Sequence, residues 1–157
     1  MGDAVEHAGL AFEFGMDSPG IPRRYAQVMM IVGDLEAARA GVDREIELDL
    51  QGSNAEPIFL LAQIQRSEGD IDGAIETMEE ALAIDYMAAD MRIIYAEMLE
   101  EGDRVDDAIA EYEQALQFLP GDQRAMGALE RLGVAVEETE TVNPHADGGV
   151  PMESEGQ

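Results

Sequence analysis

Apolar residues recur along the middle of the chain at the spacing of amphipathic helices. In two stretches they lie three and four positions apart: Ile58, Leu61 and Ala62, then Met91, Ile94, Tyr95 and Met98. A second stretch follows each of these, carrying Ile75, Met78 and Leu82, then Ile109, Tyr112 and Leu116. Because residues at this spacing share one face of a helix, the pattern predicts two pairs of helices, each with one buried side.

The pattern repeats with a period of 34 residues. The dipeptides Leu61-Ala62, Ala74-Ile75 and Ala81-Leu82 have their counterparts 34 positions later in Tyr95-Ala96, Ala108-Ile109 and Ala115-Leu116. Self-similarity at a period of this length is typical of folds built by stacking one supersecondary unit. The sequence therefore predicts an all-α, right-handed solenoid of helix pairs.

Glycine–aspartate pairs mark the break inside each unit. Gly69-Asp70 and Gly102-Asp103 separate the two helices, since glycine allows the positive φ of a helix end and aspartate caps the next helix. Pro120-Gly121-Asp122 closes the second unit. We predict pairs near 55–67/71–84 and 89–101/105–118, then a capping helix at 123–133.

A weaker unit precedes these two. Gly33-Asp34 lies 36 residues before Gly69-Asp70 and predicts a pair near 22–32/36–48, with Glu45 in place of an expected alanine. The predicted repeat domain thus spans 21–133, with units at 21–50, 55–88 and 89–122 and the capping helix. Residues 1–20 form an N-terminal extension that adds at most one helix, and the acidic, proline-containing residues 134–157 are expected to be disordered.

The repeated unit resembles the tetratricopeptide repeat, a helix–turn–helix unit of 34 residues. The resemblance rests on small residues where paired helices approach closely, on large core residues and on the terminal Pro120. The small residues are Ala62, Ala74, Ala81, Ala96, Ala108 and Ala115, and the large ones are Leu61, Met78, Tyr95 and Tyr112. The chain departs from the family pattern in three places. Ile58 and Arg92 occupy its early tryptophan position, Gln65 and Leu99 its tyrosine position, and Tyr86 its first proline position.

Composition narrows the classes of function. The chain of 157 residues has 35 acidic and 9 basic residues, a net charge of −26, no cysteine and two histidines. This charge disfavours nucleic acid and anionic membranes as partners, and the missing side chains disfavour thiol chemistry and histidine metal clusters. All nine basic residues are arginine, which fits either adaptation to high salt or a genome that encodes arginine in place of lysine.

Catalytic, cofactor and metal sites are not predicted. Asp70-Ile71-Asp72-Gly73 resembles the opening of a calcium loop, but its glycine comes too early and Ala74 stands where a further ligand is needed. Adjacent acid pairs such as Glu79-Glu80 do not face each other on a helix. The chain begins without a signal peptide and has no window of 18 apolar residues, so we expect a cytoplasmic, non-enzymatic protein.

The resemblance implies a concave groove lined by the first helix of each unit, in which a partner peptide binds. The residues it places there are Glu56, Phe59, Gln63, Arg66, Asp90, Ile93, Glu97, Glu100, Arg124 and Arg131. Phe59 and Ile93 are apolar and are the expected anchors, although they can equally pack neighbouring helices. The carboxylates favour a partner with basic or amide groups, and Arg124 and Arg131 an acidic end of it.

Two functions remain open for such a chain. The first is a non-catalytic protein-interaction module that binds a peptide segment or amphipathic helix of a partner, as an adaptor, scaffold or assembly chaperone. The second is a structural module that forms a homo-oligomer through repeat faces or end caps. The family's known carboxylate clamp uses lysine and asparagine, and this chain has no lysine, so the C-terminus of a heat-shock chaperone is not an expected ligand.

Overall fold

The computed structural model describes residues 16–135. Within that range the chain forms seven helices and no strand. In chain order they are α1 (Ile21–Val32), α2 (Leu35–Leu48), α3 (Ala55–Glu68), α4 (Ile71–Ile84), α5 (Ala89–Glu101), α6 (Val105–Phe118) and α7 (Gln123–Arg131). The all-α prediction is confirmed, and each helix begins and ends within about two residues of its predicted bounds. The predictions for residues 1–15 and 136–157 lie outside the described residues.

The helices stack in pairs. Helices α1 and α2, α3 and α4, and α5 and α6 pack against each other, and α7 packs on α6 at the end. Successive pairs meet where α2 contacts α3 and where α4 contacts α5. Each pair therefore touches only its neighbours along the stack, as in other repeat folds, and the first helices of the pairs lie side by side.

Alanine allows the paired helices to come close. Ala62, Ala74 and Ala81 are 0% exposed in the α3/α4 pair, and their repeat partners Ala96, Ala108 and Ala115 are also 0% exposed. The large residues fill the space between pairs, because Met78, Tyr95 and Tyr112 all belong to one buried cluster that extends from α3 to α7. The alternation of small and large residues that the sequence shows is thus the packing pattern of the core.

The α1/α2 pair has its own version of this close approach. A Cβ atom on Gly41 would lie 2.8 Å from the carbonyl oxygen of Pro22 and 3.1 Å from the Cβ of Ala26, so only glycine fits there. Ala26, Ala38 and Val42 are fully buried and form a second cluster with residues of α3. The weaker unit in the sequence is therefore a genuine helix pair.

Glu45 caps a helix other than its own. Helix α1 begins after Gly20, which has no side chain to accept a hydrogen bond from the first turn. The Glu45 carboxylate on α2 accepts from the backbone N–H of Gly20 at 2.7 and 2.9 Å and from that of Arg23 at 3.2 Å. Glu45 is 5% exposed. The repeat pattern predicts alanine at this position. Glutamate takes its place because the buried carboxylate accepts hydrogen bonds from N–H groups that would otherwise lack partners.

The two glycine–aspartate breaks differ. Asp70 caps α4 as predicted, accepting from the backbone N–H of Gly73 at 3.1 Å. The same prediction for Asp103 is wrong: Asp103 itself takes the positive φ of 58°, and α6 starts one residue later without a side-chain cap. Gly102 has a negative φ of −85°, and a Cβ there would lie 3.1 Å from the Cδ1 atom of Ile75. The glycine at this position allows close packing between the pairs, and it does not supply the positive φ of the turn.

The alanine contacts give the first prediction. Ala74→Leu or Ala108→Leu should lower the free energy of unfolding by about 1–3 kcal/mol, because the larger side chain forces the paired helices apart. Urea denaturation followed by circular dichroism measures the change. Ala110→Leu, at an exposed position of α6, is the matched control and should leave the stability nearly unchanged. Equal stability of the buried and exposed variants would contradict the packing.

The Glu45 cap gives the second prediction. Glu45→Ala should lower the free energy of unfolding by about 1–2 kcal/mol, since it leaves the first N–H groups of α1 without an acceptor. Asp43→Ala, on an exposed position of the same helix, removes an equal charge without touching the cap. If both substitutions shift the urea midpoint alike, the loss reflects charge and not capping.

Candidate functional site

Helices α1, α3, α5 and α7 form one side of the stack, which we call the first-helix face. The residues predicted to line a groove lie on three of these helices. They are Glu56, Phe59, Gln63 and Arg66 on α3, Asp90, Ile93, Glu97 and Glu100 on α5, and Arg124 and Arg131 on α7. Most of these side chains contact a charged residue on the next first helix, which the sequence analysis did not anticipate.

Ion pairs tie α3 to α5 and α5 to α7. Arg66 donates to Glu101 at 2.5 Å and to Glu97 at 3.2 Å, both on α5. One repeat further along, Arg131 on α7 donates to the two carboxylate oxygens of Glu100 at 2.7 and 2.9 Å. Each pair joins side chains that are 31 to 35 positions apart, so the contacts repeat with the helices themselves.

Two further ion pairs continue this series. Arg124 on α7 pairs with Asp90 on α5, and Arg23 on α1 lies 3.5 Å from Glu56 on α3. We call the whole set, from α1 to α7, the inter-repeat ladder. Arg23 is a member that sequence reasoning missed, although its separation of one repeat from an acidic residue was a usable signal.

The ladder is joined to the core at Glu100. Hydrogen bonds from Arg131 lower the pKa of Glu100 below its usual value, burial opposes this, and the hydroxyl of Tyr112, which donates at 2.8 Å, adds to the lowering. Burial together with the neighbouring Glu100 raises the pKa of Tyr112. The Glu100 carboxylate therefore stays charged, and it is held from two sides at once.

The ladder corrects the expected role of the charges. Free carboxylates were expected to attract a basic partner, and Arg124 and Arg131 to hold an acidic one. In the structure Glu56, Asp90, Glu97 and Glu100 are the partners of the arginines on the neighbouring helices. Most of the charge on this face is thus matched within the chain.

The expectation that Ile93 is an exposed anchor is wrong. Ile93 is 0% exposed and belongs to the core cluster of α3 to α7. Helix α5 lies in the middle of the stack and is buried around most of its circumference. A residue beside its main apolar face therefore still contacts the neighbouring helices. Phe59, on the more open α3, is partly exposed and packs against the same cluster.

The accessible part of the first-helix face lies toward α1. Gln63 is partly exposed beside Phe59, and Gln27 stands at the equivalent place on α1, 36 positions earlier. Met30 is also partly exposed on α1, and Ile31 is 80% exposed. The sequence pattern did not reveal Gln27 and Met30, because in the weaker unit it predicts only the core positions.

Little else in the described residues is arranged for chemistry. No three histidine or acidic side chains between residues 16 and 135 are placed to share a metal ion. No helix in that range is both long and apolar enough to cross a membrane. A cavity of about 410 Å³ is lined by Met16, Ala40, Asp43, Arg44 and Glu47, and none of the predicted groove residues lines it.

Comparison with known proteins agrees with the repeat. A family model described as tetratricopeptide repeat matches residues 59–123. No curated protein matches the chain. The solved structures similar to it include the TPR domain of Arabidopsis OM64, with a TM-score of 0.68 and 19% identity, covering 75% of this chain and 96% of that one.

Two similar structures contain bound peptides. The second TPR domain of human RPAP3, in complex with the HSP70 peptide SGPTIEEVD, has a TM-score of 0.64 and 18% identity, covering 73% of this chain and 93% of that one. The Yersinia enterocolitica type III secretion chaperone SycD, in complex with a peptide of the translocator YopD, has a TM-score of 0.64 and 17% identity. It covers 71% of this chain and 89% of that one.

The family match and the fold lead to the same assignment. Residues 59–123 carry the repeat sequence, and the described helices stack as they do in the solved TPR domains. Residues 59–123 of the chain therefore match the tetratricopeptide repeat, and the described helices have the fold of TPR domains.

Proposed function

We propose that this chain is a non-catalytic protein-interaction module that binds a segment of a partner protein on its first-helix face, as an adaptor, scaffold or assembly chaperone. The observation that carries the proposal is Phe59. This aromatic side chain is partly exposed on the face, its inner side packs on the core, and Gln63 lies one helical turn away. An aromatic side chain that is held in place by the core and lies beside an amide group is suited to be a binding hot spot.

The inter-repeat ladder supports this role by keeping the face in one shape. A surface that is already ordered loses less conformational freedom when a ligand binds, which improves affinity. The ion pairs of Arg66 with Glu101 and of Arg131 with Glu100 fix α5 relative to α3 and α7. A partner segment therefore meets a preformed surface and not a set of independent helices.

The matched charges favour a partner recognised by apolar and amide contacts. Because Arg23, Arg66, Arg124 and Arg131 are already paired within the ladder, they are not free to hold a terminal carboxylate, and the chain has no lysine. The HSP70 peptide bound by RPAP3 is acidic, and a net charge of −26 repels such a ligand. We therefore propose a segment with an apolar side chain for Phe59 and neutral or basic residues around it.

The same charge supports our inference about the class of partner. A net charge of −26 opposes binding to phosphate backbones and to anionic lipid surfaces. We infer that the partner is a protein. We also propose, as the sequence predicts, that the chain acts in the cytoplasm and with no cofactor.

A second candidate function, self-association, is favoured by the end of the stack. Ile31 and Val32, at the end of α1, are 80% and 45% exposed. Neighbouring apolar residues that are exposed in this way are candidates for a protein–protein contact. Light scattering of the purified chain tests this candidate: a dimer that Ile31→Ser with Val32→Ser converts to a monomer would favour it over the partner-binding function.

The proposed function predicts the effect of a substitution at Phe59. Peptides selected from a random displayed library on the immobilised chain should bind Phe59→Ala about 1–2 kcal/mol more weakly than the wild type, because the anchor is lost. Isothermal titration calorimetry measures the affinity. Gln63→Ala should have a smaller effect on the same peptides.

Ile109→Ala is the matched control for that experiment. Ile109 is also partly buried and packs on the same core cluster, but it lies on the second helix α6. It should leave the affinity unchanged while costing comparable stability. Equal binding of the selected peptides to Phe59→Ala and Ile109→Ala would exclude the first-helix face as the site.

A further inference from the structure

A group of exposed apolar residues lies away from the first-helix face, at the junction of the second and third pairs. Tyr86 and Met87, in the loop between α4 and α5, are 63% and 56% exposed, and Leu119, just after α6, is 41% exposed. The Tyr86 ring meets the edge of Phe118 at a centroid distance of 6.1 Å and an interplanar angle of 75°. Tyr86, Met87 and Phe118 form what we call the Tyr86 patch.

The patch is fixed from below by Arg92. This arginine is only 6% exposed, and its guanidinium donates to the carbonyl oxygen of Tyr86 at 2.7 Å and lies 5.8 Å from the centroid of the Phe118 ring. The same guanidinium donates to Glu111 at 2.5 Å and to Gln114 at 3.0 Å. Arg92 thus ties the loop to α6, and the loop holds its apolar side chains outward in a defined position.

Two departures from the family pattern meet at this point. Tyr86 occupies a proline position and Arg92 a tryptophan position of the repeat, and the two residues are hydrogen-bonded to each other. A proline would close the unit without exposing an aromatic ring to water. One repeat earlier, Leu50 occupies the position equivalent to Tyr86 and is 94% exposed. The connections between pairs therefore carry apolar side chains that the fold does not bury.

The charges near the patch decide what can cover it. Asp85 precedes Tyr86 and is exposed, and the Asp90 side chain a few residues further on is 76% exposed. Arg124 is shared between Asp90 and Asp122, and Arg92 is buried beneath the loop. The rim is therefore negative. A second copy of this chain or an anionic lipid surface would bring charge of the same sign, whereas a basic segment is complementary.

We propose that the Tyr86 patch is a second docking surface of this chain, which takes a protein segment that carries apolar side chains beside lysine or arginine. Tyrosine and arginine are enriched in binding hot spots, and a ring held in place loses little freedom on binding. The apolar side chain packs on Tyr86 and Met87, and the basic groups face the exposed carboxylate of Asp85. This surface is separate from Phe59, so the proposal can be tested independently of the function proposed above.

The test uses the full chain and a defined probe. The probe is a fluorescein-labelled peptide of about fourteen residues in which leucines at helical spacing alternate with lysines. Its binding is followed by fluorescence anisotropy at about 0.15 M salt, where unspecific attraction between exposed charges is screened. The double variant Tyr86→Ser with Met87→Ser should raise the Kd about tenfold. Replacing the lysines of the probe by glutamate should abolish binding to the wild type.

The matched control is Ile46→Ser with Leu50→Ser, which removes another exposed apolar pair, at the end of α2. It should change the Kd by less than about twofold. Arg92→Met, which releases the loop, should weaken binding while helicity is retained. Equal affinity of the wild type and the Tyr86/Met87 variant would overturn the proposal, as would an equal loss in the control.

Two other outcomes would also overturn it. If Phe59→Ala and not the Tyr86/Met87 variant loses the probe, the basic segment binds on the first-helix face. If light scattering shows a dimer that only the Tyr86/Met87 variant dissociates, the patch is covered by a second copy of the chain.

Discussion

The close approach of paired helices at alanine is the constraint on which the other features depend. Ala74 and Ala108 have no exposed surface and stand at the same place in successive pairs. A larger residue there would separate the helices by the size of the added carbons, and every later contact in the stack would shift with them. Because the small residue returns after 34 positions, from Ala74 to Ala108, these two pairs share one geometry and their first helices come to lie side by side.

The inter-repeat ladder follows from that alignment. Once the first helices are neighbours, an arginine and a carboxylate about one repeat apart come within reach, as Arg66 and Glu101 do. Partly exposed ion pairs of this kind contribute roughly 0–1 kcal/mol each, so their value lies less in stability than in position. They hold the face on which Phe59 stands, and Tyr112 links one of them to the core through Glu100.

The sequence predicted the helices, their pairing and the alanine contacts, because these depend on local spacing that repeats. The sequence did not predict the features that depend on which residue of another helix lies opposite. Periodicity predicts on which side of α5 Ile93 lies, but it does not predict how deeply the side chain is buried. The helices on both sides of α5 bury it completely. Glu45 caps α1 from another helix. Asp103 takes the positive φ of the turn, and Gly102 lies close to Ile75 of the preceding pair. Each of these depends on a distant partner that no local pattern reveals.

The most direct test of the central claim is nuclear magnetic resonance of the isotopically labelled chain with a selected peptide. The side-chain amide signals of Gln27 and Gln63 and the ring signals of Phe59 report on the first-helix face without any substitution. Our account predicts that these signals shift most on titration and that nuclear Overhauser effects join Phe59 to an apolar side chain of the peptide. Shifts confined to the outward sides of α2, α4 and α6 would contradict it.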